Sequence, residues 1–165
     1  MEIKKIVITG GPCGGKSTAV GWIQTNLVKD GWKVLIIPET ATEFITGGVA
    51  PWTCGSNIAY QTCQFRLQLA KEEVFRQAAE TMDVPKVLIV CDRGALDNKA
   101  YMTEAEFAKT VSQISSEVEL RDNYDAVFHL TTAAKGAVEC YRTDNNTART
   151  ETPEEAAQRI NRRPP

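Results

Sequence analysis

The sequence predicts an α/β fold in which a parallel sheet is covered by helices on both faces, giving three layers. Three observations predict it. Short apolar runs alternate with longer helical stretches along the 165 residues, the order expected when each strand returns through a crossover helix. The run Val87-Leu88-Ile89-Val90 is unbroken, as a central strand buried on both faces requires. A glycine-rich turn, from Gly10 to Gly15, stands between the first apolar run and the first helical stretch.

The elements follow in order. Ile3–Thr9 reads as the first strand and about Lys16 to Lys29 as the first helix, stopped at Asp30-Gly31 by a glycine C-cap. Lys33–Pro38 is the second strand, and Thr40–Ile45 a short helix ended by Gly47-Gly48. Val49–Asn57 mixes Pro, Gly, Trp, Cys and Ser and reads as a loop; Trp52 is expected to cap the core. A long helix follows over roughly Ile58–Met82. Ile58, Phe65, Leu69 and Val74 supply its apolar face, and Arg66, Lys71, Glu72, Glu73 and Arg76 mark wetter positions. Lys86–Cys91 is the third strand. Thr103 to about Leu120 reads as one helix with a capping start, and Asp125–Thr131 as the fourth strand. Lys135–Arg149 is polar and irregular, and Pro153–Arg162 reads as helical.

Length suits one domain spanning 1–165. Apolar residues make up 42% of it, enough for a core and unlike a disordered chain. A net charge of -2 gives no global drive toward nucleic acid or an acidic membrane surface, so no nucleic-acid partner is expected. The 5 cysteines form no C-x-x-C pair and only 1 histidine accompanies them, which argues against zinc and for reduced thiols in a cytoplasmic protein. No stretch approaches the ~20 apolar residues of a transmembrane helix.

Gly10-Gly11-Pro12-Cys13-Gly14-Gly15-Lys16-Ser17 fits G-x-x-x-x-G-K-[ST], followed by Thr18. Glycines admit backbone conformations closed to other residues, so successive N–H groups can turn onto a phosphate. The helix behind adds its positive N-terminal end. In this pattern Lys16 places an ammonium on the β and γ oxygens of ATP or GTP, and the Ser17 hydroxyl ligates Mg²⁺. A chance match in a chain this long arises about once in a hundred, and the position between strand and helix is the one the chemistry needs.

The third strand ends in Cys91-Asp92. With a phosphate loop upstream, Asp92 is the expected second Mg²⁺ partner. The residue after it is Arg93 rather than a water-activating Glu, a cation suited to a phosphate or an acceptor substrate. Glu39 ends the second strand. Ligands of open α/β sheets bind beyond the carboxyl ends of strands, so Glu39 is placed to take a proton from a substrate hydroxyl; its alternative is a cap for the Thr40–Ile45 helix.

Five segments carry a narrower signal: VITGGPCGGKST, IPETATEFITGG, CDRGALDNKAYM, ELRDNYDAVFHL and NNTARTETPEEA. Together they resemble the NadR-like AAA domain family, which includes the ribosylnicotinamide kinase-type domain and the eukaryotic TRPL translocation defect proteins. The resemblance covers nearly the whole chain. It implies a kinase-like P-loop fold binding ATP or GTP. Some members phosphorylate a nucleoside-like hydroxyl; others resemble binding proteins for GTP and phosphoinositides. More distantly, Pro38-Glu39 and Asp92-Arg93-Gly94 are similar to motifs of deoxynucleoside kinases. That similarity implies Glu39 as the catalytic base, Arg93 as a holder of substrate or phosphate, and Gln61 as the glutamine that reads a nucleobase of the substrate; the alternative for Gln61 is a solvent-facing helix residue.

Arg142 and Arg149 flank a polar stretch that matches a lid closing over the phosphates, where an arginine neutralises the transferred group. Only four strand-like runs occur, so the fifth strand of P-loop kinases is expected to be missing. That leaves a sheet edge open to self-association. Two functions remain in view: a small-molecule kinase acting on a hydroxyl acceptor, and a nucleotide-dependent binding or switch protein recognising phosphoinositide.

Overall fold

The computed structural model describes residues 1–133 together with Thr152, Glu154 and Glu155. Strands β1 (Glu2–Gly10), β2 (Lys33–Ile37), β3 (Lys86–Asp92) and β4 (Ala126–Leu130) form, among the described residues, one sheet of 4 parallel strands. Its order is β2-β3-β1-β4. The chain leaves β1, passes over to β2 beyond β3, and returns, so the order reverses between β1 and β3. Ile8 pairs with Asp92 there. Open α/β sheets bind ligands at such a point, beyond the carboxyl ends of the strands.

The side-chain alternation of β3 builds both faces. Val87, Ile89 and Cys91 join Val7, Ile37 and Ala79 in one core, against which Phe75 of helix α3 (Asn57–Glu80) and Met82 just beyond it pack. Leu88 and Val90 join Ile8 on the other face, under Ala19, Val20 and Ile23 of helix α1 (Lys16–Asn26). A third cluster lies beside the sheet. It joins Phe65 of α3 to Ala95, Phe107, Val111 and Leu120. The three-layer α/β class is therefore the observed one.

Several local expectations need correction. The stretch from Thr103 to Leu120 is two helices, α4 (Glu104–Ser112) and α5 (Glu117–Asp122). Ser116 caps the second by accepting from Glu119 N at 3.2 Å while Glu119 Oε2 accepts from Ser116 N at 3.1 Å, a reciprocal pair that starts a new helix. The stretch after Gly94 is a 3₁₀ turn, Ala95–Tyr101. Helix α3 buries Phe65 and packs Leu69 beside it as expected, but Glu72 and Val74 exchange their expected places. Val74 is 60% exposed, whereas Glu72 is 2% exposed. The inward stripe carries Gln61, Phe65, Gln68 and Glu72 because each polar member finds a buried partner from another element. Trp52 caps no core; it is 67% exposed. The short helix α2 (Thr40–Thr46) forms as expected. Arg142 and Arg149, with nearly all of the polar stretch and terminal helix expected beyond Lys135, lie outside the described residues.

Candidate functional site

Three loops meet at the carboxyl edge of the sheet, following β1, β2 and β3. The first is the phosphate loop. Gly10 has φ 141, and a Cβ there would lie 2.1 Å from the Leu130 carbonyl oxygen; glycine is the residue that fits. Gly15 (φ 79) and even Cys13 (φ 53) occupy the left-handed region. Positive φ values of this kind let a backbone curl so that successive amides can turn onto one anion. The turn is backed by the chain following β4. Thr132 donates to the Pro12 carbonyl, Ala133 N donates to Cys13 O at 3.4 Å, and Gly14 sits against the carbonyls of Leu130 and Thr131. Lys16, 7% exposed, donates its ammonium to Gly10 O at 3.2 Å and Gly11 O at 3.0 Å. Ser17 and Thr18 follow on the exposed first turn of α1.

The second loop brings Glu39. It stands at the N-cap position of α2, but its carboxylate makes no cap bond. Instead Oε2 accepts from the Thr42 hydroxyl at 2.6 Å, and Oε1 accepts from Arg93 Nε. The helix-cap alternative is thereby answered by the bonds themselves. Burial opposes the Glu39 charge, but Arg93 and the Thr42 hydroxyl outweigh it and hold the carboxyl below its ordinary 4.5.

The third loop is Asp92-Arg93-Gly94. Arg93 has φ 71, a conformation that costs a non-glycine residue of order 1 kcal/mol or more and persists where surroundings hold it. Arg93 N donates to Ile8 O at 3.0 Å. Asp97 Oδ2 accepts from Gly94 N at 2.9 Å; its Oδ1 accepts from the Thr9 hydroxyl and lies 3.7 Å from Arg93 Nη1. A Cβ on Gly94 would come within 2.9 Å of Val7 Cγ2.

Asp92 Oδ1 is buried with no hydrogen-bond partner. Burial pushes its carboxyl up, and the Glu39 charge adds to that; Lys16 and Arg93 oppose without offsetting it. A buried carboxylate oxygen left unbonded at the end of β3 is a group that Mg²⁺ would fit. Among the described residues no cluster of three or more His, Cys, Asp or Glu forms a separate metal site.

Gln61 is buried rather than solvent-facing. Its Oε1 and backbone carbonyl each accept from Asn98 Nδ2 at 3.1 Å. Asn98 was not foreseen, nor was Tyr60, whose buried hydroxyl has no hydrogen-bond partner and is pushed up to about 12 by burial. Asp97 and Thr9 were also missed. The single sequence hint for Asp97 is its place four residues after Arg93. Glu39 and Arg93 bond directly, with Asp92 and Lys16 within electrostatic reach; Gln61, on the inward stripe of α3, is held against Asn98 of the 3₁₀ turn.

Among the described residues, no helix is long and apolar enough to cross a membrane. No curated protein matches the chain. The family model described as "AAA domain" matches residues 5–163. That match covers almost the whole chain and agrees with the glycine-built phosphate loop at the sheet's switch point: the chain belongs to the AAA domain family and is a nucleotide-binding P-loop protein.

Proposed function

We propose that the protein transfers the γ-phosphoryl group of ATP or GTP to a hydroxyl of a small, nucleoside-like acceptor. The observation that supports this best is the half-buried Glu39–Arg93 pair beside Asp92. A water-activating Glu does not follow Asp92; a carboxylate and a guanidinium from two different loops stand there together. Phosphoryl transfer needs mostly positioning and charge neutralisation. Glu39, kept ionised, orients the acceptor hydroxyl and takes its proton as the hydroxyl oxygen bonds to the γ-phosphorus and the γ-phosphorus parts from the β–γ bridging oxygen, which leaves on the nucleoside diphosphate. Arg93 and Lys16 meet the negative charge on the transferred oxygens. Ser17 and Asp92 would hold Mg²⁺, which would supply charge neutralisation to the phosphates when bound. The Tyr60 hydroxyl and Arg93 Nη1, both buried without a hydrogen-bond partner, offer donors to an acceptor's further oxygens, and Asn98 orients the Gln61 amide beside them.

The narrower likeness to NadR-like domains supports the same assignment. Its other branch, a GTP- and phosphoinositide-binding switch with little catalysis, has no separate structural support. ATP and GTP turnover across a nucleoside panel, with wild type and Glu39→Gln, tests the proposal. Acceptor-dependent product in wild type, lost in the variant, is the expected result. Hydrolysis indifferent to every acceptor and to Glu39→Gln overturns it, and nucleotide-dependent capture on phosphoinositide vesicles would then favour the switch.

A further inference from the structure

The Glu39–Arg93 pair joins two loops, and three residues on one face of α3 brace both. Glu72, 2% exposed, accepts three bonds: from Lys5 Nζ at 2.9 Å, from Gln68 Nε2 at 2.9 Å and from the Tyr124 hydroxyl at 2.8 Å. Two of those donors pass the constraint on to the Arg93 turn. Gln68 Nε2 also donates to Arg93 O at 3.2 Å, and the Tyr124 hydroxyl accepts from Ala95 N at 2.9 Å. The turn is thus gripped before and after Gly94.

The same helix face grips the other loop. Gln68 Oε1 accepts from the Thr40 hydroxyl at 2.5 Å, and Lys71 Nζ donates to Pro38 O at 2.9 Å. The donor directions agree throughout. Lys71 donates to Thr40 Oγ1 at 3.4 Å, so the Thr40 proton points to Gln68 Oε1, which turns Gln68 Nε2 to Glu72 and Arg93.

We propose that Glu72 is a buried positioning carboxylate which, through Gln68 and Tyr124, holds the Arg93 turn in its left-handed conformation and so fixes the Arg93 guanidinium on Glu39. Its catalytic consequence rests on the kinase assignment above; the positioning itself does not. A low-dielectric network of this kind rigidifies when every member is satisfied, and this one draws its ionic partner, Lys5, from β1.

The test uses the relays, because Glu72→Gln strands Lys5 and risks unfolding. Gln68→Met and Tyr124→Phe keep volume and remove one relay each; the full chain is used. The first readout is the Arg93 Nε–H resonance, identified by its loss in Arg93→Lys. Its solvent exchange should quicken by on the order of tenfold in each variant and more in the double variant, with Gln68→Glu failing to rescue, since a carboxylate there faces Glu72 and the Arg93 carbonyl. The second is acceptor turnover, expected to fall about tenfold to a hundredfold at unchanged nucleotide affinity. Unaltered Nε–H exchange in the double variant overturns the inference whether or not the wild type turns over an acceptor. Quickened exchange in an enzyme without acceptor turnover upholds the clamp and removes the kinase assignment instead.

Discussion

The phosphate loop and the side of the site that the kinase proposal gives to an acceptor are built from different materials. The phosphate loop is mostly backbone. Its key positions are glycines with positive φ, one lysine, and a helix start, all within eight consecutive residues, Gly10–Ser17. The acceptor side is side chains: Glu39 from the end of β2, Arg93 from the end of β3, Asp97 beyond it, and a relay on α3 that holds them. A cradle of amides recognises a triphosphate tail common to many proteins. A side-chain constellation can be changed one residue at a time, so it is where specificity is set. The two sides should therefore fail differently.

The sharpest separation is Glu39→Gln. Turnover with an acceptor should fall by about a hundredfold to ten-thousandfold, the usual worth of a general base, while calorimetric affinity for nucleotide stays near wild type. Equal loss of both would merge the two sides into one. Lys16→Ala does the reverse. Losing charged hydrogen bonds of about 3 kcal/mol weakens nucleotide uptake by roughly a hundredfold, read by the same calorimetry; undiminished uptake would break the assignment of the loop.

Asp92 lies between the sides, and its variant carries a sign. The carboxyl titrates above its ordinary 3.8 in the folded chain, so the ligand-free protein loses stability as pH rises through that raised value. Asp92→Asn should therefore melt higher than wild type at neutral pH without ligand. It should flatten the decline from acid to neutral pH and abolish the extra stabilisation that Mg²⁺ adds to nucleotide. A lower melting temperature in the variant would show that the buried oxygen is satisfied after all. Glu39 has the opposite sign: its lowered carboxyl supports the fold above about pH 4.5, and that support is lost on acidification through the folded value.

Smaller effects follow. Gly94→Ala puts a methyl against Val7 Cγ2 and should cost about 1–3 kcal/mol in denaturant unfolding through overpacking. Trp52→Ser, at a side chain 67% exposed, should change stability by no more than about 0.5 kcal/mol. A larger change would mean that Trp52 is covered by something.

Sequence legibility follows the same division. The loop, its flanking strand and helix, and Asp92 at a strand end are contiguous patterns, so periodicity and spacing reveal them. Glu39 and Arg93 were legible as candidates because each follows a strand. Their direct bond was not, since 54 residues separate them. The face of α3 was misjudged for the same reason. Glu72 reads as a solvent-facing charge until Lys5, 67 residues away, arrives to pair with it. Val74 reads as core, yet Glu72 takes the inward place and Val74 is exposed. The break between α4 and α5 was visible in Ser116 and Glu119, but the apolar period masked it.

The α/β class, the runs that form β1 to β4 and the nucleotide loop are legible locally, because each depends on neighbours within a few residues and on intrinsic backbone preferences. Tertiary structure alone decided the strand order, the inward place of Glu72 on α3, and the meeting of Glu39 with Arg93. Those depend on which distant groups can satisfy a buried charge, and a buried charge is tolerable only where its partner also lands.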